Sequence, residues 1–372
     1  MSSSSQPLNV LVIGANGYLG KSLSTTFLRA SLPSAHNFFR VYGLIRRPST
    51  APSLAQSEII PIIIPSLSSS ADPTSIITSH AKSWHVIITC TEPSRSSVEF
   101  QHWDDLLSLI ESLSQISVSE GGGIKPFVIA SSGCKDYGTT LLHGDLALTP
   151  HTEDSPLQTH EIIQARMNAA LRVLEVAATT KKFDAAVVRA TSVYGYTSSY
   201  YGAAFDYASA FIQAGKRTLD FTTPKETIMH GVHVDDCAEG YLSLATTYLF
   251  GEKEKATEEV FNISSRRYET LEEIGNALAK EYGFAEGARF GVEEKDIVAE
   301  KNCELVFGWS QWVSSEKIRS VTGWKDHRPL FSENIGVYRR AFEAAKGNGD
   351  DDVEKARRRM EGNWGEGYLE TS

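Results

Sequence analysis

A glycine-rich turn that directly follows an apolar run most strongly limits what this chain can fold into. Residues 9–13 are almost wholly apolar, as expected for a strand that is buried on both faces. The chain continues with Gly14, Gly17 and Gly20, then with a helical pattern. In such a turn the first glycine allows the tight bend, the second lets the backbone approach a pyrophosphate, and the third lets the helix pack closely on the strand. The order of strand, glycines and helix favours a dinucleotide-binding unit over a glycine turn without a ligand.

Strand and helix patterns alternate up to about residue 195, which predicts an α/β fold. We expect a doubly wound parallel sheet of the Rossmann type, followed by a smaller mixed α/β C-terminal substrate lobe. The predicted strands cover residues 9–13, 39–45, 58–65, 85–89, 126–131, 185–189 and, in the second lobe, 260–263, and the predicted helices cover residues 21–30, 100–116, 161–180, 235–248 and 271–282.

The same patterns divide the chain into four parts. Residues 1–8 read as a loose serine-rich tail, and residues 9–195 as the cofactor-binding domain. Residues 196–346 form the expected substrate lobe, with part of the chain returning to the sheet. Residues 347–372 are rich in charge and poor in apolar side chains, so we expect a tail there.

Charge and cysteine content exclude several classes of protein. The 36 lysine and arginine residues against 46 aspartate and glutamate residues give a formal net charge of −10, which argues against nucleic acid or an anionic membrane as a partner. No apolar run reaches the length of about 20 residues that a membrane span needs. The four cysteines lie far apart, so we expect no metal site and no disulfide framework, and a reducing, cytoplasmic location: Cys90, Cys134, Cys237 and Cys303.

The end of the second predicted strand indicates which dinucleotide binds. An NAD site places an acidic residue there to bind the ribose hydroxyls. This chain instead has Arg46 and Arg47, with no acidic residue nearby. Two guanidinium groups suit a 2′-phosphate, so we expect NADP(H) as the cofactor. The alternative is a solvated basic pair at a strand end.

With these residues the chain resembles the extended short-chain dehydrogenases/reductases of the NAD(P)-dependent epimerase/dehydratase type. The resemblance extends from about residue 9 to about residue 338. Besides the glycine turn, it rests on T-E-D-S-P at residues 152–156, V-R-A-T-S-V-Y-G at 188–195, H-V-D-D at 233–236 and V-F-N-I at 260–263.

The resemblance implies a set of cofactor contacts and one helix cap. Backbone amides near the glycine turn would bind the pyrophosphate, and residues after the later strands would meet the adenine, the ribose and the nicotinamide. Ser66 stands where relatives usually have an aspartate, and Asp235 or Asp236 would cap a helix. The implied cofactor contacts are Asn16, Tyr18 and Leu19 at the pyrophosphate, Ser66 and Leu67 at the adenine, Cys90 and Thr91 at the ribose, and Thr191 and Val193 at the nicotinamide.

The catalytic residues of the family are not at their usual positions. The family uses a Ser or Thr together with a Tyr and a Lys four residues later, whose ammonium lowers the tyrosine pKa. The register of the predicted helix places Ile162 at the tyrosine and Arg166 at the lysine position. Arg166 can still hold the nicotinamide ribose, but it cannot act as a base. Ser132 matches the serine position, whereas counting back from the Tyr-Gly pair at 137–138 reaches Gly133.

A relocated acid is the alternative. Residues 132–138 are similar to a segment of the progesterone β-reductase and iridoid-synthase group, in which a lysine after the fifth strand serves the active site. Lys135 matches that lysine, and Tyr137 lies beside it. His160 starts the helix that normally carries the tyrosine. The catalytic candidates are therefore Lys135, Tyr137, Ser132 and His160; a surface lysine and a solvent-facing histidine remain the alternatives for two of them.

The substrate is expected to be a small molecule. Residues 194–207 hold five tyrosines and one phenylalanine, which suits either an apolar or aromatic metabolite of medium size or a core cluster. Met229 and His230 stand where sugar-nucleotide relatives carry an arginine, which argues against a nucleotide-sugar. We expect an NADP(H)-dependent oxidoreductase of secondary metabolism that reduces a carbonyl or conjugated alkene, and a homodimer fits. The alternatives are a redox-neutral isomerase, dehydratase or cyclase and a non-catalytic NADP-binding regulator.

Overall fold

The computed structural model of the chain describes residues 6–34, 36–68, 70, 72–91, 96–197, 200–298, 306–350 and 353. The strands are β1 (Gln6–Ile13), β2 (Asn37–Ile45), β3 (Ile60–Ile63), β4 (Val86–Thr89), β5 (Phe127–Gly133), β6 (Asp184–Ala190), β7 (Ser192–Tyr194), β8 (Leu219–Phe221), β9 (Ile228–Met229), β10 (Gly231–His233), β11 (Glu259–Ile263), β12 (Glu269–Thr270) and β13 (Ala288–Phe290). The helices are α1 (Tyr18–Leu28), α2 (Ala51–Gln56), α3 (Pro73–His80), α4 (Ser96–Ser119), α5 (Glu161–Thr180), α6 (Gly202–Gln213), α7 (Val234–Phe250), α8 (Lys253–Ala256), α9 (Leu271–Tyr282), α10 (Glu316–Thr322) and α11 (Ile335–Gly347).

A seven-stranded parallel sheet forms the centre of the molecule, which confirms the predicted fold class. Its strand order is β11-β6-β5-β4-β1-β2-β3, with the direction of winding changing between β1 and β4. In sheets of this type the carboxyl ends of the strands line the ligand crevice at that change of direction. The glycine turn after β1 lies there.

Helices cover both faces of the sheet. Successive residues of a strand point to opposite faces, so each strand packs against helices on both sides. Val10 and Val12 of β1 pack with α1 and α7 on one face, whereas Leu11 and Ile13 pack with α4 and α5 on the other. All four side chains are fully buried. Burial on both faces explains why the first strand is an unbroken apolar run.

The second lobe has a core of its own that is rich in aromatic side chains. It joins α6, α9 and α11 to the short strands β8 and β13. Four of the rings predicted from residues 194–207 are part of this core and at most 3% exposed: Tyr194, Tyr201, Phe205 and Tyr207. For these four rings the core alternative is confirmed, whereas Tyr196 is 49% exposed.

Several predicted boundaries shift in the structure. β1 begins at Gln6, within the tail predicted at residues 1–8, because it pairs with β2 from its first residue. The strand assigned to the second lobe is β11, which pairs with β6 at the edge of the central sheet. Residues 1–5, Cys303 and most of the predicted tail after residue 350 lie outside the described residues. No helix within the described ranges is long and apolar enough to cross a membrane.

Candidate active site

The glycine turn has the geometry that binding of a pyrophosphate requires. Gly14 has a φ of +95°, which disfavours any other residue there. A Cβ on Gly20 would lie 2.1 Å from the carbonyl oxygen of Gly14, so α1 can approach the strand only because that side chain is absent. Helix α1 starts at Tyr18, directly after Gly17, so the glycine turn lies at the N-terminus of the helix, where the helix dipole favours an anion. The turn therefore has a backbone geometry that suits an anion, and binding of a pyrophosphate there stays a prediction.

The ends of β2, β3 and β4 surround the turn on its adenosine side. Arg46 and Arg47 are exposed directly after β2, and Ser66 is exposed after β3, with Leu67 half-buried beside it. The Cys90 thiol donates to the carbonyl oxygen of Ile13 at 3.3 Å. The γ-methyl of Thr91 lies 3.0 Å from the position that a Cβ would take on Gly14. The structure thus brings the residues predicted for the cofactor to one edge of the sheet.

A buried carboxylate lies at the end of β5, among the residues predicted for catalysis. Asp136 is fully buried in the short 3-10 helix Cys134–Tyr137. Its carboxylate accepts a hydrogen bond from Ser132 Oγ at 2.5 Å and one from Arg166 Nη2 at 2.9 Å, and it lies 3.3 Å from Arg189 Nε. The Ser132 hydroxyl therefore binds Asp136. The same carboxylate holds the Arg166 guanidinium close to Gly133, since a Cβ added to Gly133 would lie 3.2 Å from that guanidinium.

Tyr137, a predicted catalytic residue, lies in a buried polar network. Its hydroxyl donates to Asn262 Oδ1 at 2.8 Å and accepts from Arg189 Nη1 at 2.9 Å. Burial raises its pKa above the ordinary range, and the Arg189 charge opposes that rise only in part. Glu153 completes the network by accepting the backbone N–H of Asn262 at 2.8 Å. These contacts give Tyr137 a structural position and leave it a poor proton donor.

The same network explains why several family motifs occur together. Glu153 belongs to the T-E-D-S-P motif, Arg189 to V-R-A-T-S-V-Y-G and Asn262 to V-F-N-I. Their side chains and backbone meet around Tyr137 and connect β5, β6 and β11 to the loop before α5. The motifs therefore hold the carboxyl edge of the sheet together, and their presence indicates the fold rather than a substrate.

Lys135 lies beside Arg166 and an indole ring. The side chain is half-buried, and its Nζ lies 5.1 Å from the centre of the Trp309 ring. Burial, and next the positive charge of Arg166, lower the pKa of Lys135 to about 8. The indole N–H of Trp309 is buried and donates to no atom of the described residues. Lys135 is thus partly enclosed by its neighbours and is not a fully exposed surface lysine.

The other residues predicted for the site have surroundings that suit catalysis or cofactor binding less well. His160 is exposed at the residue before α5, which agrees with the solvent-facing alternative. Thr191 is 3% exposed, and its N–H donates to the carbonyl oxygen of Ile263 at 2.9 Å. It therefore connects the end of β6 to β11. Val193 is half-buried. Helix α5 starts at Glu161 as predicted, and the side chain of Ile162 lies outside the described residues.

The helix cap predicted at Asp235 or Asp236 was wrong. His233 is the N-cap of α7, and its Nδ1 accepts the N–H of Asp235 at 3.1 Å. The carboxylate of Asp236 instead accepts the N–H groups of His327 and Arg328 at 2.9 and 3.0 Å. A cap prediction from Asp alone fails here because a distant loop supplies the donors.

Sequence reasoning missed three residues of the site. Asp136 and Arg189 each lie in a segment that was noticed, but the sequence around a charged residue does not indicate which distant side chain it will face. Trp309 is 174 positions from Lys135 and follows the segment 299–305, which lies outside the described residues. Within the described ranges, no group of three or more His, Cys, Asp or Glu side chains is arranged to hold a metal ion.

Comparisons with known proteins agree with this architecture. The model of the NAD dependent epimerase/dehydratase family matches residues 10–264. No sequence among the curated proteins matches the chain. Similar solved structures include the NAD complex of dTDP-glucose 4,6-dehydratase from Bacillus anthracis, at 15% identity and a TM-score of 0.65, with 91% of this chain and 98% of that chain covered. UDP-glucose 4-epimerase from Thermotoga maritima, solved with UDP-glucose, is similar at 16% identity and a TM-score of 0.62, with 91% and 100% covered.

Proposed function

Because the chain belongs to the NAD dependent epimerase/dehydratase family, we propose that it is an NADP(H)-dependent oxidoreductase that reduces a carbonyl or a conjugated alkene. The observation that carries the proposal is the pairing of an intact glycine turn with an internal lysine at the end of β5. The turn serves a dinucleotide, and the lysine serves an oxygen that gains negative charge. The similarity to the progesterone β-reductase and iridoid-synthase group stays a prediction.

The residues around the crevice fit the cofactor. The amides at the start of α1 would bind the pyrophosphate, Arg46 and Arg47 would bind a 2′-phosphate, and Arg166 would reach the nicotinamide ribose. When bound, NADPH would supply a hydride, which is two electrons and one hydrogen, and the second hydrogen of the product would be a proton from solvent. Several similar structures are complexes with NAD. The preference for NADP(H) rests on the arginines and on the lack of an acidic residue at the end of β2.

Lys135 would act on the substrate oxygen. Its ammonium can stabilise a developing alkoxide or enolate, and Arg166 adds positive charge on the same side. The unpartnered indole N–H of Trp309 can donate to the same ligand, and its ring offers a flat apolar surface. Trp309 therefore supports a medium-sized apolar or aromatic substrate. Four rings of residues 194–207 do not, since they are core residues.

Two measurements test this proposal. Calorimetry should show that NADPH binds more tightly than NADH, and Arg46→Ala combined with Arg47→Ala should cost about 1–3 kcal/mol of NADPH affinity, as for lost hydrogen bonds to a charged group. Absorbance of NADPH should fall when a series of enones and aromatic carbonyls is added. Equal affinities for the two dinucleotides would contradict the cofactor choice, and constant absorbance across the series would contradict the reduction.

A redox-neutral reaction on the same scaffold is the second candidate. The position of Tyr137 favours it, because its hydroxyl is committed to Arg189 and Asn262 and no tyrosine occupies the family position on α5. A product that forms without loss of NADPH would support an isomerase, a dehydratase or a cyclase. NADPH binding with no turnover of any compound would support a regulator instead.

A further inference from the structure

His102 on α4 lies next to the predicted adenosine end of the cofactor site. Its Nε2 is 3.1 Å from Thr91 Oγ1, at the end of β4. Thr91 in turn packs over Gly14, since its γ-methyl would touch a Cβ placed there. The edge-on ring of Trp103, with 5.0 Å between ring centres, packs against the imidazole. One residue therefore separates His102 from the glycine turn, although no sequence motif includes it.

A positive and a negative charge act on His102, and the positive one has the larger effect. Within the described ranges, the charged groups that act on it are Arg46 at the end of β2 and Asp105 on α4 itself. The Asp105 carboxylate already accepts a hydrogen bond from Gln101 Nε2 at 2.9 Å. Burial, and next the Arg46 charge, lower the pKa of His102 to about 4, and Asp105 raises it by less. The imidazole is therefore neutral at pH 7, close to an exposed guanidinium.

We propose that His102 is a cofactor-binding residue that acts with Arg46 on the phosphate carried by the adenosine ribose of NADP(H). The inference rests on the proposed function, because it needs a dinucleotide with that phosphate. A phosphate dianion beside Arg46 would offset the repulsion between the guanidinium and a protonated imidazole, and it would attract the imidazolium itself, which opposes the larger effect of burial. Binding would then take one proton from solvent onto His102, giving an imidazolium beside the phosphate and leaving every other group unchanged.

Proton uptake predicts the direction of the pH effect. His102 is neutral without cofactor above about pH 4 and gains affinity for a proton when the phosphate is bound. NADPH affinity therefore rises as the pH falls between the two pKa values, by at most about tenfold per pH unit. NADH lacks the 2′-phosphate on the adenosine ribose, so its affinity should depend much less on pH.

The test is calorimetric titration of the full chain with NADPH and with NADH at pH 6.5 and 8.5, each in two buffers of different ionisation heat. We expect NADPH, but not NADH, to take up a proton and to bind about three- to tenfold more tightly at pH 6.5. His102→Gln should remove both effects and leave NADH affinity unchanged. Thr91→Val, which removes the hydroxyl near the imidazole, should reduce them. Titration of the phosphate itself is common to all variants, so the difference between variants reports on His102.

His80→Gln is the matched control, because this exposed histidine ends α3 at the opposite edge of the sheet. It should behave as the parent protein does. Parent-like proton uptake and NADPH affinity in folded His102→Gln would overturn the inference and leave the cofactor proposal intact. A parent protein that binds NADPH no more tightly than NADH would overturn the cofactor choice, and this inference with it. If His102→Gln does not fold, the Thr91→Val result decides.

Discussion

Lys135 lies in surroundings that oppose its own charge. Burial and the Arg166 guanidinium both favour the neutral amine, and they lower its pKa from an ordinary value of 10.5 to about 8. Its neighbour Asp136 is the opposite case, a buried carboxylate between two arginines. Adjacent positions in the chain therefore differ in their tasks: Asp136 holds the two arginines in place, and the charge of Lys135 is the one that the proposed function assigns to a ligand.

The charge of Lys135 predicts a pH profile for turnover. The ammonium is present below its pKa, so turnover should be constant below about pH 7 and should fall as the pH rises through about 8. Lys135→Met should lower turnover by about two to three powers of ten, the effect of removing one such donor, and should remove the basic limb. NADPH affinity and the melting temperature should not fall. Turnover within about threefold of the parent's would show that Lys135 takes no part in the reaction.

Asp136→Asn tests the other residue. The variant keeps the shape but removes the charge that offsets Arg189, which is 3% exposed, and Arg166. Breaking a buried ion pair costs about 3–5 kcal/mol, so denaturant unfolding should show a loss of that size. Asp154→Asn, at an exposed position of the T-E-D-S-P motif, should change stability by less than about 0.5 kcal/mol. A stable Asp136→Asn protein would show that the network is not needed for folding.

At the scale of elements, the position of α1 depends on one missing side chain. The helix starts at Tyr18 and packs against β1 and β2 on the same face as α7. The Gly14 carbonyl lies where a Cβ of residue 20 would be. Backbone cannot move aside as a flexible side chain can, so the contact is sensitive to a single methyl group.

Gly20→Ala should therefore shift α1 away from the sheet. We expect a loss of about 1–3 kcal/mol in stability, as for overpacking of a core, together with weaker binding of either dinucleotide. Gly347→Ala provides the control, because no atom lies within 4 Å of the added Cβ at the end of α11. Unchanged melting and NADPH affinity for Gly20→Ala would contradict the close approach of α1.

For the whole molecule, the path of the chain joins the two lobes. After the second lobe begins, α7 returns to cover the sheet, and β11 adds the last strand beside β6. Tyr241, Leu244 and Ala245 of α7 are fully buried against that face. The boundary at residue 195 divides the sequence, but it does not divide the core, because the core of the first lobe contains residues from both sides of that boundary. The homodimer and the cytoplasmic location stay predictions, the first testable by light scattering.

A fragment of residues 1–195 should not fold by itself. It lacks α7, so one apolar face of the sheet would be exposed, and it lacks β11, so β6 would become an open edge. We expect aggregation or unfolded amide spectra, and recovery of soluble protein when residues 196–372 are produced in the same cells. A monomeric, cooperatively melting fragment would show that the first lobe is independent of the chain that follows.

The sequence by itself determined the local features of this protein. The apolar runs predicted the first six strands of the central sheet, the helical periodicity placed α5 and α9 at their observed ends, and the glycine spacing placed the turn between β1 and α1. These features were predictable because each depends on neighbours within a few positions. Tertiary structure alone decided the partners of Asp136, the burial of Tyr137, the return of β11 to the sheet and the place of His102 beside Thr91. Those depend on contacts between distant segments, and a side chain's charge or ring does not indicate which segment will face it.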